Sequence, residues 1–185
     1  MFPTLTTTSD QLWILTDPVA AFAVRELGIH RVHGTIPLTS GYVTVDADGE
    51  ITSLTATLDP AGVATGNARR DAELRGRKFF DIAYRPQWTF AADRIERTER
   101  GWAASGTLHG VAPCHLTLHI TETESLDGVR QFAATTTIDR RAAGIHARRF
   151  LIGRHVDVQL RSGLVAADPR AGRIDEQTTT GASRD

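Results

Sequence analysis

The sequence predicts an all-β chain, a sandwich or barrel of antiparallel strands with one short inserted helix. Three observations lead there. Short runs alternate between apolar and polar side chains along most of the chain, which is the period of a half-buried strand. Turn signals recur at short spacing, among them Asp46-Ala47-Asp48-Gly49 and Leu126-Asp127-Gly128, with Gly supplying the positive-φ position. One connection, between the run ending at Leu58 and the run opening at Trp88, is too long for a hairpin and is dense in Asn, Arg, Asp, Glu and Lys. A link of that length has to carry structure of its own.

Taken in order, strands are expected at 12–16 and 19–25, on either side of Asp17-Pro18, then at 33–38, 41–47 and 51–59. A helical turn is expected over Leu27 to Arg31. In the long connection, Asn67 to Gly76 has the marks of a short helix. Asn67 suits the N-cap, Asp71 and Glu73 stand in the early turns, and Gly76 suits the end. Further strands are expected at 87–95, 101–109, 114–122, 129–138 and 155–164. Neither helix is long enough to stand alone, so each must dock on the sheet.

Alternation also assigns faces. Leu54, Ala56 and Leu58 share one, as do Trp88, Phe90 and Ala92. So do Leu116, Leu118 and Ile120, then Phe132, Ala134, Thr136 and Ile138, and finally Val156, Val158 and Leu160. Small residues recur on these inward faces. An eight-stranded barrel can be filled by side chains or can hold a ligand, and the pattern alone leaves both open.

At 185 residues the chain suits one domain, expected over 11–166, with a loose Thr-rich stretch at 1–10 and a polar, disordered tail at 167–185. The 41% hydrophobic and 23% charged residues are those of a globular protein, and the net charge of −1 offers no basic field for nucleic acid. Cys114 is the only cysteine, which excludes an intrachain disulfide and four-cysteine zinc sites. The amino terminus, MFPTLTTTSDQLW, lacks a basic n-region and a continuous apolar core, and no run could span a bilayer. A cytoplasmic protein without an integral membrane segment is the expectation.

The pattern Thr65-x-Asn67-x-x-Arg70-Asp71-x-x-Leu74, then Phe79-Phe80-Asp81 and Tyr84-x-Pro86-x-x-x-Phe90, resembles the YceI-like family. Three weaker motifs agree in order: Phe22-Ala23-Val24 with Leu27-Gly28-Ile29 and Val32-x-Gly34; Leu108-His109-Gly110-Val111-Ala112-Pro113; and Ile138-Asp139-Arg140-Arg141 with Gly144-Ile145 and Ile152-Gly153. The resemblance covers about residues 12 to 166. It departs where Asp17-Pro18 replaces the usual His-Ser, and where Glu26 stands in place of a His. It implies a lipocalin-like antiparallel β-barrel with a short inserted helix, enclosing a long-chain amphiphilic lipid of the polyisoprenoid, quinone or prenyl phosphate type. A homodimer is a further implication.

Such a protein needs an apolar tunnel and polar groups at its mouth. Leu54, Leu58, Trp88, Phe90, Leu118, Phe132, Val158 and Leu160 are the candidates for the tunnel, although each alone reads as ordinary core. For the head group, Arg69, Arg70, Arg75 and Arg77 in the inserted helix and Arg140, Arg141, Arg148 and Arg149 in the late loop could meet at the mouth, with Arg70, Arg75, Arg141 and Arg149 as the candidates and a plain solvated face as the competing reading. Arg70 and Asp71 also read as anchors of that helix.

No catalytic motif is present. There is no Gly-x-Ser-x-Gly elbow and no glycine-rich phosphate loop, and Cys114 follows Pro113 at a strand start outside any nucleophile motif. His115 and His119 share a strand face but stand about 13 Å apart, too far to hold one ion. The expectation is therefore a binding protein without metal or cofactor that carries or sequesters its lipid. The alternatives are an enzyme acting on the enclosed lipid, with Asp71, His109 or His146 as acid–base groups, and a packed stress-response interaction module.

Overall fold

The computed structural model describes residues 10–126, 129–147 and 151–167. Of sandwich and barrel, the chain adopts the barrel. Eight antiparallel strands follow one another in chain order, and β1 (Gln11–Glu26) closes the ring by pairing with β8 (Ile152–Ala166). Between them run β2 (His30–Val45), β3 (Ile51–Leu58), β4 (Trp88–Thr98), β5 (Gly101–His109), β6 (Pro113–Leu126) and β7 (Val129–Asp139). The α-helix among the described residues, α1 (Ala68–Arg75), lies in the β3–β4 connection.

Ten expected strands thus become eight. The runs at 12–16 and 19–25 merge into β1 because Asp17-Pro18 makes a bulge instead of a break. Asp17 takes a φ of 48°, and the register against β8 shifts between Thr16 and Val19. A bulge is where a strand tolerates the missing proline N–H. The runs at 33–38 and 41–47 merge into β2, whose register against β3 shifts between Leu38 and Ser40. The helical turn expected over Leu27–Arg31 is a tight hairpin turn: Leu27 and Gly28 have φ of 53° and 73°, and His30 already pairs with Glu26. The turn at Asp46–Gly49 forms as read, its Asp46 carboxylate accepting from the N–H groups of Asp48 and Glu50 at 3.0 and 2.9 Å. Asp127 and Gly128 of the other expected turn, with the terminal stretches 1–9 and 168–185, lie outside the described residues.

Local chemistry explains α1. The Asn67 side chain accepts from Arg70 N–H at 3.0 Å, and Gly76 stands at the C-cap. Eight residues do not hold a helix in water, so its tethers matter. The buried Asp71 carboxylate accepts from the N–H and the hydroxyl of Thr65, at 2.9 and 2.6 Å, and Arg70 Nε donates to the same hydroxyl at 2.9 Å. Upstream, Ala64 bridges to Thr35 of β2, and Val63 is fully buried. The helix is thereby clamped over one end of the barrel.

At the other end Trp13, Val43, Val45, Ile51, Trp102, Ile120, Phe132 and Leu164 pack as part of the barrel's apolar cluster, with the Trp102 and Phe132 rings 6.2 Å apart. One seam in the wall is short. β3 and β4 pair only from Thr55↔Ala91 to Leu58↔Trp88. Below that the Glu50 carboxylate spans the gap, accepting from Trp102 Nε1 at 2.9 Å and Arg97 Nη1 at 3.1 Å.

Asp71→Ala should destabilise the fold by about 2 kcal/mol, since it strands two donors under the helix. Urea denaturation measures this. Asp71→Asn, which keeps one acceptor, should recover part of the loss.

Candidate functional site

The helix end of the barrel is hollow. A cavity of about 180 Å³ opens there, walled by the last turns of β1 and β7, the first turns of β2 and β8, and the β3–β4 and β5–β6 connections. Phe22, Phe79, Phe80, Trp88, Ile138 and Val156 form much of its surface. Three charged residues line it: Glu26, Arg70 and Arg140. All other lining residues are apolar or glycine.

Two features keep the space open. Phe22 lies against Gly34, where a Cβ would fall 2.4 Å from the ring, so only glycine lets the aromatic wall sit back against β2. Phe80 meets Trp88 edge to face, with centroids 4.7 Å apart and planes at 74°, a favourable arrangement that fixes both rings. Phe79 and Phe80 follow α1 and are buried, so the helix carries its own apolar floor into the barrel.

At the mouth, Glu26 and Arg70 line the cavity and still keep 40% and 35% of their side-chain surface in solvent. Arg70 Nη1 stands 3.9 Å from a Glu26 oxygen, joining the end of β1 to α1 across the opening. A carboxylate there partly neutralises the arginine.

Arg140 is buried, and it ties down the β7–β8 connection. Its guanidinium donates to the carbonyls of Ile145 (2.7 Å), Gly153 (2.8 Å), Ile152 (2.9 Å) and Ala147 (3.0 Å). Burial, and then the neighbouring Arg141 charge, pull its pKa below the usual arginine value, while Asp139 opposes them. Asp139 ends β7 and accepts from Arg154 Nε at 2.7 Å and from Arg141 N–H at 3.0 Å. The Arg154 hydrogen bond first, helped by its charge and by the Arg141 and Ala142 backbone N–H groups and opposed by burial, lowers the carboxyl pKa from 3.8 to about 2.

The sequence-derived candidates divide between the two halves. Leu58, Trp88 and Val158 line the cavity, and so does Arg70. Leu54, Phe90, Leu118, Phe132 and Leu160 also belong to the barrel's apolar core, but they do not line this cavity. Arg75 points elsewhere: its Nε and Nη2 donate to the carbonyls of Ala61 (2.6 Å) and Val63 (3.0 Å), pinning the helix to the preceding loop. Arg141 flanks Arg140 without lining the cavity, and Arg149 lies outside the described residues. Sequence reasoning missed Phe22, Phe79, Phe80 and Glu26 as lining residues; of the late-loop arginines it set at the mouth, Arg140 lines the cavity and Arg141 does not. The Phe79-Phe80 pair was visible as a motif, whereas nothing local separates Arg140 from Arg141.

The remaining chemistry is sparse. Cys114 is buried, and burial followed by the nearby Asp139 charge raises its thiol pKa, which disfavours the reactive thiolate. Among the described residues no three His, Cys, Asp or Glu side chains come together to hold a metal ion. No helix among them is long and apolar enough to cross a membrane.

A closed antiparallel barrel with an apolar hollow at one end is the architecture of the lipocalin-like proteins. The YceI-like domain matches residues 14–163, and the chain belongs to that family. Among curated relatives, the UPF0312 protein of Yersinia pestis (strain Pestoides F) is 29% identical over 93 residues, which are 49% of this chain and 48% of the relative. The chain therefore spans about half the length of the curated relatives it matches. Solved structures share the fold. BcnA from Burkholderia cenocepacia has a TM-score of 0.66 at 16% identity, over 79% of this chain and 95% of that one. A polyisoprenoid binding domain from Saccharophagus degradans, implicated in plant cell wall breakdown, has a TM-score of 0.57 at 13% identity, over 84% and 98%.

Arg140→Met should cost about 3 kcal/mol in urea denaturation, because four carbonyls lose their donor, and Arg140→Lys should restore only part of it. For Asp139 the folded pKa lies below the unfolded one. Its stabilising contribution is therefore complete above the ordinary carboxylate range and lost as pH falls towards about 2. In Arg154→Ala, NMR titration should find the Asp139 pKa raised from about 2 towards its ordinary value, with the backbone donors still holding part of the shift.

Proposed function

We propose that this barrel reversibly encloses the apolar part of an amphiphilic lipid, without a covalent step. The observation that carries this is the apolar hollow itself, where Gly34 leaves room for the Phe22 ring against β2. Family membership and the polyisoprenoid binding neighbour support the same reading.

Size and charge refine it. A cavity of about 180 Å³ is close to the roughly 150 Å³ that encloses a benzene ring, and well below the ~300–1,000 Å³ of pockets that bury whole drug-sized ligands. In this shape it holds one compact end of a longer chain. The mouth offers a paired Glu26–Arg70 couple instead of a free cation. That favours a neutral polar head, such as a hydroxyl or a quinone carbonyl, over a phosphate.

Native mass spectrometry of gently purified protein, followed by titration with a ladder of straight-chain alcohols, tests the proposal. Affinity should climb about fourfold per CH₂, from ~0.8 kcal/mol each, and level off near six carbons as the hollow fills. Val158→Phe should abolish that climb while the protein stays folded. A stably folded wild-type barrel that binds no member of the series would refute the proposal. Glu26→Gln should raise affinity for fatty-acid anions several-fold and leave the neutral alcohols unchanged.

A further inference from the structure

The hairpin turn between β1 and β2 exposes its apolar side chains at the rim of the cavity. Ile29 is 85% exposed and Leu27 59%. Leu27 N–H donates to the Leu151 carbonyl at 2.6 Å, which brings the turn against the β7–β8 connection, and Leu151 is itself 41% exposed. Glu26 before Leu27 and Ile152 after Leu151 both line the cavity, so this greasy tip borders its wall. Tyr84, 80% exposed, stands in the β3–β4 connection at the same barrel end. Isolated surface leucines need no explanation, but a tight turn carrying two, joined to a third, does.

Charge identifies what covers it. Within 25–31, 59–88, 109–113, 139–147 and 151–155, which make up this end, eleven Lys and Arg face six Asp and Glu, in a chain whose net charge is −1. Each of the six carboxylates already has a partner. Asp59 and Asp71 accept local hydrogen bonds, Glu26, Asp81 and Asp139 meet arginines, and Glu73 is engaged as well. By contrast Arg25, Arg69, Arg77 and Lys78 are exposed, and no ion pair joins them to a described residue. At the opposite end the polarity reverses: the hairpins Asp46–Glu50 and Glu96–Arg100 hold five acidic residues and two basic ones.

We infer that this end docks on the surface of an anionic lipid bilayer, with Leu27 and Ile29 entering the headgroup layer and Arg25, Arg69, Arg77 and Lys78 meeting lipid phosphates. Apolar insertion supplemented by cations is the combination that holds a protein at such a surface. The acidic far end sets the orientation, turning the mouth of the hollow towards the membrane.

Sedimentation with vesicles rich in phosphatidylglycerol, against pure phosphatidylcholine vesicles, tests this with the full chain. Wild type should partition to the anionic vesicles and be released by high salt. The double variant Leu27→Asn, Ile29→Asp alters only solvent-exposed side chains, and Asn accepts the positive φ at position 27. It should lower partition at least about tenfold while its circular dichroism stays unchanged. Val158→Phe, with the hollow filled, should partition as wild type does, which separates docking from ligand enclosure. Equal sedimentation with both vesicle types, or an unaltered double variant, would overturn the inference. So would a dimer that dissolves in the double variant without any vesicle binding, since the tip would then be covered by a second copy.

Discussion

Closure of the sheet through β1 and β8 is the constraint on which everything else rests. Once the ring is sealed, the interior is a fixed volume that eight strands make barely wide enough for side chains. Trp13, Trp102 and Phe132 pack at one end, whereas at the other Phe22, Phe79, Phe80 and Trp88 stand round the hollow as its walls, beside the small residues Ala20, Gly110, Ala112 and Ala143.

The open half still has to exclude water from its walls, and a loose lid would not do so. Two arginines and an aspartate make the lid firm by satisfying backbone groups in place of water. Asp71 gathers Thr65, Arg75 gathers Ala61 and Val63, and Arg140 gathers the carbonyls of the last connection. These charged groups look at first like ligand-binding equipment. Two of the three act as internal fasteners of irregular chain, and Arg140 both fastens and lines. Such chain has unpaired carbonyls to satisfy, and an arginine fork can reach several at once.

Much of the fold was legible because it is written locally. Asn67 and Gly76 bracket a helix by capping chemistry, and alternation placed Leu58, Trp88 and Val158 on the inward face. Alternation reports the face of a strand and says nothing of height along the barrel. Height depends on register and bulges, which arise between strands, so inward residues such as Leu118 and Phe132 could not be told from cavity residues. Asp17-Pro18 misled for the same reason: a proline reads as a stop, yet β8 beside it absorbs the irregularity. Glu26 was noticed as a departure from the family pattern, but its approach to Arg70 depends on how α1 folds back over β1.

The four-pair seam between β3 and β4 has a consequence for how the wall moves. β1 and β2 pair over Gln11–Ile14 and again over Val19–Glu26, so parting them means breaking a long row of backbone hydrogen bonds at once. Parting β3 from β4 needs only the short row near Leu58 and Trp88, both of which border the hollow. The cylinder is therefore least tied along one line, which Glu50 braces at its far end, while the seven other junctions carry longer ladders.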